Sequence, residues 1–506
     1  MGLAGAGAAW MRRPALAASQ APGDRSGLWR LTLGQASDLV RRGDVSPVEL
    51  TEACLRRIEA SEPVLNAFIT LAREEALRTA RQLEAEQARA DWRGPLHGIP
   101  VALKDNIDTA GLLTTGGSAL FRNRVPSEDA HVVARLKLAG AIVIGKLNLH
   151  EFALGGTSAV NHVGPVHNPW ALDHHPGGSS GGNAAAIAAE LCFGSLGTDT
   201  GGSIRIPASY CGIVGLKPTH GRVSNRGVIP NSWTFDTVGP MCRTVEDAAL
   251  MLTVIAGYDA SDPSSADVPV EDYRRAIGAP ASGLRLGVPR SPFFDDLEPE
   301  VRQAVGEALE VLRDLVAEVR EVDLPPSPGL GISSAEIYAY HAPWISESPE
   351  LYQPPTRRIV QGGADFSAKE YADGLRAVTL ARREIAESFQ AVDLVVMPTT
   401  GGAAGPIPSP PTDGPAGDTP AGRGGRGGRG GRGRGGGGGP SGFRNTSYCS
   451  YYGLPAISVP CGFTASGLPI GLQIAGAPFT ESTVLALAHA YERATPWHER
   501  RPSLAI

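Results

Sequence analysis

Residues 177–205 read GGSSGGNAAAIAAELCFGSLGTDTGGSIR, two serine-bearing glycine turns separated by an alanine-rich stretch. Glycines adopt backbone conformations closed to other residues, and turns of this kind bring their N–H groups close to a bound carbonyl oxygen. Ser203, which follows Thr200, Gly201 and Gly202, would then lie where those groups can stabilise an oxyanion. One Gly/Ser-rich turn is more often only a loop. Two of them around an apolar segment, read as a core helix at 184–194, predict a nucleophile turn.

An upstream apolar run, HGIPVALKDN at 97–106, reads as a strand that carries Lys104 to its end. Two interpretations are open for this lysine: it caps the strand and reaches solvent, or it is buried. Desolvation lowers the pKa of a lysine, and a neutral amine can accept the proton of a serine. If Lys104 is buried, we expect it to be the base for Ser203.

These three segments, Lys104 with the turns at 177–182 and 197–203, resemble the amidase signature family of serine hydrolases in residues and in spacing. The resemblance extends from about Leu31 to Pro502 and includes GIVGLKPT at 212–219 and GLPAISVP at 453–460. It implies an α/β fold: a single large domain in which helices cover both faces of a central mixed β-sheet.

The resemblance also implies roles for individual residues. Ser203 would be the nucleophile, and Ser179, preceded by a cis peptide bond, would pass protons between Ser203 and Lys104. The oxyanion hole would be formed by the backbone N–H groups of Thr200, Gly201, Gly202 and Ser203.

Three neighbours are expected to support the site. In this family an acid and a base at the positions of Asp199 and Arg205 help to fix the nucleophile turn, although a plain surface ion pair is an equal alternative. Ser180 is expected to hydrogen-bond within its turn or to take a direct part in the reaction.

The implied function is hydrolysis of a C–N bond in a small, largely uncharged amide through an acyl-enzyme, with aryl amides and carbamates in its range and an esterase side activity. One alternative is the glutaminase subunit of an Asp/Glu-tRNA amidotransferase, although segment 330–375 does not look like that subunit's glutamine-binding stretch. A third, weaker hypothesis is an RNA-associated protein that acts through an arginine-glycine tract.

The histidine and cysteine patterns favour neither a metal nor a cofactor. None of the 11 histidines has H-x-x-x-H or H-E-x-x-H spacing, and the six cysteines include no C-x-x-C pair. The pair His174 and His175 is expected to be solvated or to line the site entrance. A reducing compartment fits this cysteine usage.

Composition limits the partners. A hydrophobic content of 42%, a charged content of 19% and a net charge of −6 are globular values without a field that would steer nucleic acid or membranes. No apolar stretch reaches the roughly 20 residues of a membrane-spanning helix. We therefore expect a cytoplasmic protein with a small-molecule amide as its partner; a homodimer is an open alternative.

Three regions are distinguished along the chain. Residues 1–27 read as a disordered tail and residues 28–506 as the catalytic domain. A flexible Pro/Gly/Arg-rich insertion at 401–442 interrupts this domain and is too polar and glycine-rich to bury a core. The arginine-glycine tract within it contains Arg423, Arg426, Arg429, Arg432 and Arg434.

Hydrophobic periodicity predicts the main elements. Helices are expected at 33–60, with a start signal at Ser46 and Pro47, and at 63–86, 132–138 and 299–317; strands are expected at 141–146, 284–288, 318–322 and 394–398. Two aromatic clusters are expected either to line an apolar substrate pocket or to be ordinary packing. They are Tyr338, Tyr340, Trp344 and Tyr352, and Tyr448, Tyr451 and Tyr452.

Overall fold

A computed structural model describes residues 27–409 and 443–504. Its α-helices are α1 Leu33–Arg42, α2 Pro47–Leu65, α3 Arg73–Ala88, α4 His131–Leu138, α5 Gly181–Ala188, α6 Arg205–Cys211, α7 Val245–Ile255, α8 Tyr273–Ala276, α9 Pro299–Leu315, α10 Ser333–Glu347, α11 Pro354–Gly362, α12 Ala368–Glu384, α13 Arg444–Tyr451 and α14 Glu481–Ala494. Its strands are β1 Phe68–Leu71, β2 Pro100–Lys104, β3 Ile142–Leu147, β4 Gly194–Asp199, β5 Val214–Lys217, β6 Thr237–Cys242, β7 Arg285–Pro289, β8 Glu318–Val322, β9 Leu394–Pro398, β10 Ala456–Phe463 and β11 Pro469–Gly476.

The strands within these ranges form one sheet in the order β1-β3-β2-β4-β6-β5-β10-β11-β9-β7-β8. Strand β2 runs parallel to β3 and β4, and β7 runs parallel to β8 and β9, whereas the other pairs are antiparallel. Helices flank this mixed sheet, so the predicted α/β fold of a single large domain is confirmed.

Helix start signals in the sequence account for the first two helices. Ser46 caps α2, its side chain accepts the N–H of Glu49, and Pro47 occupies the first helical turn. Thr32 caps α1 in the same way.

The predicted helix over 63–86 is wrong in one part. Helix α2 continues through Pro63 to Leu65, and the chain then forms the short edge strand β1 before α3 begins at Arg73. Four residues are too few for a clear period-two pattern, so the strand is stabilised by antiparallel pairing with β3 rather than by a local signal.

The core helix predicted at 184–194 ends earlier in the structure. Helix α5 is completely buried and stops at Ala188, and β4 begins at Gly194. Because β2 and β4 are parallel neighbours, with Leu103 opposite Leu196, their carboxyl ends meet at one edge of the sheet. This register places Lys104 beside the turn that follows β4.

The predicted tail at 1–27 lies outside the described residues except for Gly27, and so does the arginine-glycine tract of the predicted insertion. At the start of that insertion, residues 401–409 are described. The N–H of His175 donates to the carbonyl of Gly405 at 3.0 Å, and the N–H of Ile407 donates to Asp173 at 2.9 Å. This part of the insertion is therefore attached next to the first glycine turn.

Within residues 27–409 and 443–504, no helix combines the length and the apolar character needed to cross a membrane. All six cysteines lie in this part of the chain, where each is buried and unbridged.

Candidate active site

Lys104, at the end of β2, is completely buried. Its Nζ lies 2.7 Å from Oγ of Ser179, 2.8 Å from Oγ1 of Thr198 and 3.4 Å from the carbonyl oxygen of Thr198. Burial lowers the pKa of Lys104 to about 7, although Asp236 and Asp199 act in the opposite direction. The solvent-exposed alternative for this lysine is therefore wrong, because the side chain is fully buried against Ser179 of the first glycine turn and Thr198 of β4.

The first glycine turn holds Ser179 against Lys104. The peptide bond between Gly178 and Ser179 is cis, as the resemblance implies. The carbonyl of Ser179 accepts hydrogen bonds from the N–H of His150 and from Oγ of Ser158, both at 3.1 Å. Ser179 is fully buried, so these contacts fix its hydroxyl beside the lysine.

Ser180 joins the two glycine turns rather than bonding within its own. Its Oγ donates to the carbonyl of Thr198 at 3.2 Å, and its N–H donates to the carbonyl of Ser203 at 3.2 Å. These contacts join the start of α5 to the end of β4 and to the turn that follows it. The described contacts of Ser180 therefore support the geometry that relates Ser179 to Ser203.

Asp199 and Arg205 form a completely buried ion pair, so the surface-pair alternative is wrong. The Arg205 guanidinium donates twice, from Nε to Oδ2 of Asp199 at 3.0 Å and from Nη2 to Oδ1 at 2.8 Å. Burial alone would raise the pKa of Asp199, but the charge and the hydrogen bonds of Arg205 outweigh it and the pKa lies below its usual value. The pair closes the ends of the nucleophile turn.

The Asp199 carboxylate already binds one of the N–H groups predicted for the oxyanion hole, that of Gly202. The N–H of Gly202 donates to Oδ1 of Asp199 at 2.8 Å, so it is already used to hold the turn. Within residues 27–409 and 443–504, no acceptor takes the N–H groups of Thr200, Gly201 or Ser203. These three remain the candidate donors to an oxyanion.

Helix α13 covers the other side of the turn. Oγ1 of Thr446 donates to the carbonyl of Gly201 at 2.7 Å, and Oγ of Ser447 donates to the same oxygen at 3.3 Å. Gly202 has a φ of +137°, and a Cβ on it would lie 2.4 Å from Oγ1 of Thr446. Both the backbone conformation and the space therefore require glycine at this position.

Two residues of the site, Thr198 and Asp236, were not recognised in the sequence. Thr198 contacts Lys104 from β4, and Oγ1 of Thr200 donates to Oδ1 of Asp236 at 2.5 Å. The pairing of β4 with β6, with Asp199 opposite Thr237, brings Asp236 next to Thr200. No local motif indicates the contact between Thr200 and Asp236, because it depends on the register of β4 and β6.

The two aromatic clusters belong to two different hydrophobic clusters of the structure. Tyr340 and Trp344 line a cavity of about 530 Å³ with residues 119–124, and neither Lys104 nor either catalytic serine candidate borders it. The second cluster is buried in a separate core with Phe235 and Phe293. Ordinary packing is therefore the interpretation that fits the second cluster.

His175 of the histidine pair hydrogen-bonds to the first glycine turn. Nδ1 of His175 accepts the N–H of Gly177 at 3.1 Å, and burial lowers the pKa of His175 to about 4. In the part of the chain that the structure describes, no three His, Cys, Asp or Glu side chains are grouped as metal ligands would be.

This arrangement has the parts of a serine hydrolase site. Ser203 is 8% exposed and lies in a turn with unused N–H groups. Its carbonyl accepts the N–H of Ser180, which directly follows the serine that contacts the buried lysine. A neutral lysine can act as a general base toward a hydroxyl group.

Comparison with known proteins agrees with this arrangement. The model of the Amidase family matches residues 49–417 and 443–485. The chain is 42% identical to a glutamyl-tRNA(Gln) amidotransferase subunit of Roseiflexus sp. strain RS-1, covering 95% of this chain and 99% of that protein. It is 40% identical to an amidase of Pseudomonas putida, with the same two coverages.

Among solved structures, 6-aminohexanoate cyclic dimer hydrolase complexed with substrate superimposes with a TM-score of 0.84 at 28% identity, covering 94% of this chain and 99% of that one. The sequence match, the fold and the lysine-serine contact lead to the same conclusion. The chain belongs to the amidase family, and its activity is amide hydrolysis.

Proposed function

We propose that the chain hydrolyses its amide substrate with Ser203 as nucleophile, Ser179 as proton relay and Lys104 as base. The observation that carries this proposal is the 2.7 Å contact between the buried Nζ of Lys104 and Oγ of Ser179. Two further acceptors of Nζ belong to Thr198. A neutral amine that donates its two protons to these oxygens directs its lone pair at the Ser179 hydroxyl.

The reaction then runs in two steps. Ser203 attacks the carbonyl carbon while its proton passes through Ser179 to Lys104, and the N–H groups of Thr200, Gly201 and Ser203 stabilise the oxyanion. The protonated relay delivers the proton to the departing nitrogen, and the C–N bond breaks. Water, activated by the same relay, hydrolyses the acyl-enzyme and restores Ser203.

The first candidate substrate is the side-chain amide of glutamine, with the chain as the glutamine-hydrolysing component of a glutamyl-tRNA(Gln) amidotransferase. Its support is the 42% identity to one component of such an enzyme over nearly the full length of both proteins. This reverses the order of preference expected from the sequence, where the stand-alone amidase came first.

The second candidate is a small uncharged amide hydrolysed by the chain alone. The similarity to the Pseudomonas putida amidase, at 40% identity, supports it nearly as well. In this second candidate, carbamates and esters are further substrates.

Hydrolysis assays separate the two candidates. We would test glutamine, primary amides, anilides, carbamates and esters with the wild-type chain, with Ser203→Ala and with Ser346→Ala as a matched control, since Ser346 is an exposed serine of α10. Glutamine would also be tested together with the other amidotransferase components from the same organism. All activity should disappear in Ser203→Ala and persist in Ser346→Ala.

Glutamine hydrolysis that depends on the other components would establish the first candidate, and hydrolysis of small amides by the chain alone would establish the second. Activity that survives in Ser203→Ala would contradict the proposed nucleophile. A homodimer and a cytoplasmic location stay predictions, as does RNA association, which deletion of residues 422–439 would test.

A further inference from the structure

Asp236 is a buried carboxylate that contacts the nucleophile turn directly. Its Oδ1 accepts the hydroxyl of Thr200 at 2.5 Å, and its Oδ2 accepts the N–H groups of Asn231 and Ser232 at 2.8 and 2.9 Å. The side chain is 5% exposed. Three hydrogen bonds fix its position, and the described residues supply no salt bridge to it.

A second buried carboxylate extends this contact to the helices that follow the site. Oγ of Ser232 donates to Glu336 of α10, and Oγ1 of Thr234 donates to the same carboxylate at 2.5 Å. The hydroxyl of Tyr371 in α12 donates to it at 2.9 Å. The nucleophile turn is thus connected through Asp236, Ser232 and Glu336 to both helices.

Asp236 also differs from Asp199 in its electrostatic role toward Lys104. Both carboxylates oppose the effect of burial on the pKa of Lys104. Asp199 is neutralised by its ion pair with Arg205. The charge on Asp236 has no such partner among the described residues. Burial raises the pKa of Asp236 to about 6, so above that pH its carboxylate is charged and available to stabilise Lys104 once Lys104 carries a proton.

Other titratable groups face this region. His150 is buried and His220 is partly buried, and burial lowers the pKa of each to about 3, so they stay neutral over the working range. Lys217 faces Asp199 and Arg205 from β5 and donates to the carbonyl of Pro218 at 2.8 Å.

We propose that Asp236 is a positioning residue of this hydrolase: it holds Thr200 at the start of the nucleophile turn and supplies the counter-charge for Lys104 when Lys104 carries the proton of Ser203. This inference rests on the proposed roles of Ser203 and Lys104. It adds a residue that acts through Thr200 and Lys104.

The test is the rate at which a fluorophosphonate probe labels Ser203 in the full-length chain, measured from about pH 5 to pH 9. The variants are Asp236→Asn, which removes the charge, and Thr200→Val, which removes the hydrogen bond and keeps the charge. Asp247→Asn is the matched control, because Asp247 is another buried carboxylate, on α7, that accepts the N–H of Gly34 at 2.9 Å. Thermal unfolding reports whether each variant is folded.

Asp236→Asn should lower the plateau rate by about tenfold or more and move the midpoint of the pH profile down by about one unit, because a neighbouring negative charge raises the pKa of a lysine. Thr200→Val should lower the plateau and leave the midpoint in place. Asp247→Asn should match the wild type in both quantities.

A folded Asp236→Asn variant with the wild-type midpoint and plateau would overturn the inference. If that variant does not fold, a Thr200→Val variant with an undiminished plateau, or with a displaced midpoint, would overturn it equally. Failure of the proposed function gives a different result: the wild-type chain would not be labelled, or the label would persist in Ser203→Ala.

Discussion

The side-chain nitrogen of Lys104 lies 2.7 Å from Oγ of Ser179, and both residues are completely buried. Water cannot compete for the lysine, and burial lowers its pKa to about 7. A substantial fraction of Lys104 is therefore the free amine near neutral pH, which is the form that accepts a proton. Parallel pairing of β2 with β4 produces this contact, because it places the end of β2 beside the two glycine turns.

Replacing Lys104 with methionine should lower amide hydrolysis by about 10²–10⁴-fold, the usual contribution of a general base. Activated esters should lose less, since their leaving groups need no proton. The measurement is kcat/KM for an amide and for a 4-nitrophenyl ester in the same preparation. Lys146→Met is the control, because Lys146 is another buried lysine but donates to Oγ1 of Thr114 at 2.9 Å, outside the site. Equal losses on both substrates would contradict the role of Lys104 as a proton carrier.

Gly202→Ala should abolish most activity because the residue has a φ of +137° and the new Cβ would lie 2.4 Å from Oγ1 of Thr446. The turn must then shift, and the N–H groups of its neighbours shift with it. Fluorophosphonate labelling of Ser203 measures the loss. The control is Gly306→Ala in α9, where a Cβ meets no atom within 4 Å and should stabilise the helix by about 1 kcal/mol. Normal labelling of Gly202→Ala would contradict the described turn.

Arg205→Met should destabilise the fold strongly, by about 3–5 kcal/mol, because it leaves the Asp199 carboxylate buried without its cation. Urea unfolding measures the change. Removing an exposed pair, as in Arg42→Met, whose partner is Asp44, should change stability far less. Similar losses in the two variants would show that the buried pair has no special structural role.

The glycine turns and the end of strand β2 could be predicted because their signals are local in the sequence. Such motifs indicate Lys104, Ser179 and Ser203 as candidate site residues. Asp236 was missed because its contact with Thr200 depends on the antiparallel register of β4 and β6. Gly202 was assigned to the oxyanion hole because its sequence position does not reveal that Asp199 accepts its N–H. Strand β1 was missed because four residues between two helices carry too little pattern.

The most direct test of the central claim is the pH dependence of kcat/KM for amide hydrolysis by the wild-type chain. Burial lowers the pKa of Lys104 from 10.5 to about 7, and only the free amine is active as a base. Activity should therefore rise with pH, with a midpoint near 7, and reach a plateau above it. A profile that is flat between about pH 5 and pH 9, or that falls through neutrality, would contradict the assignment of Lys104 as the base.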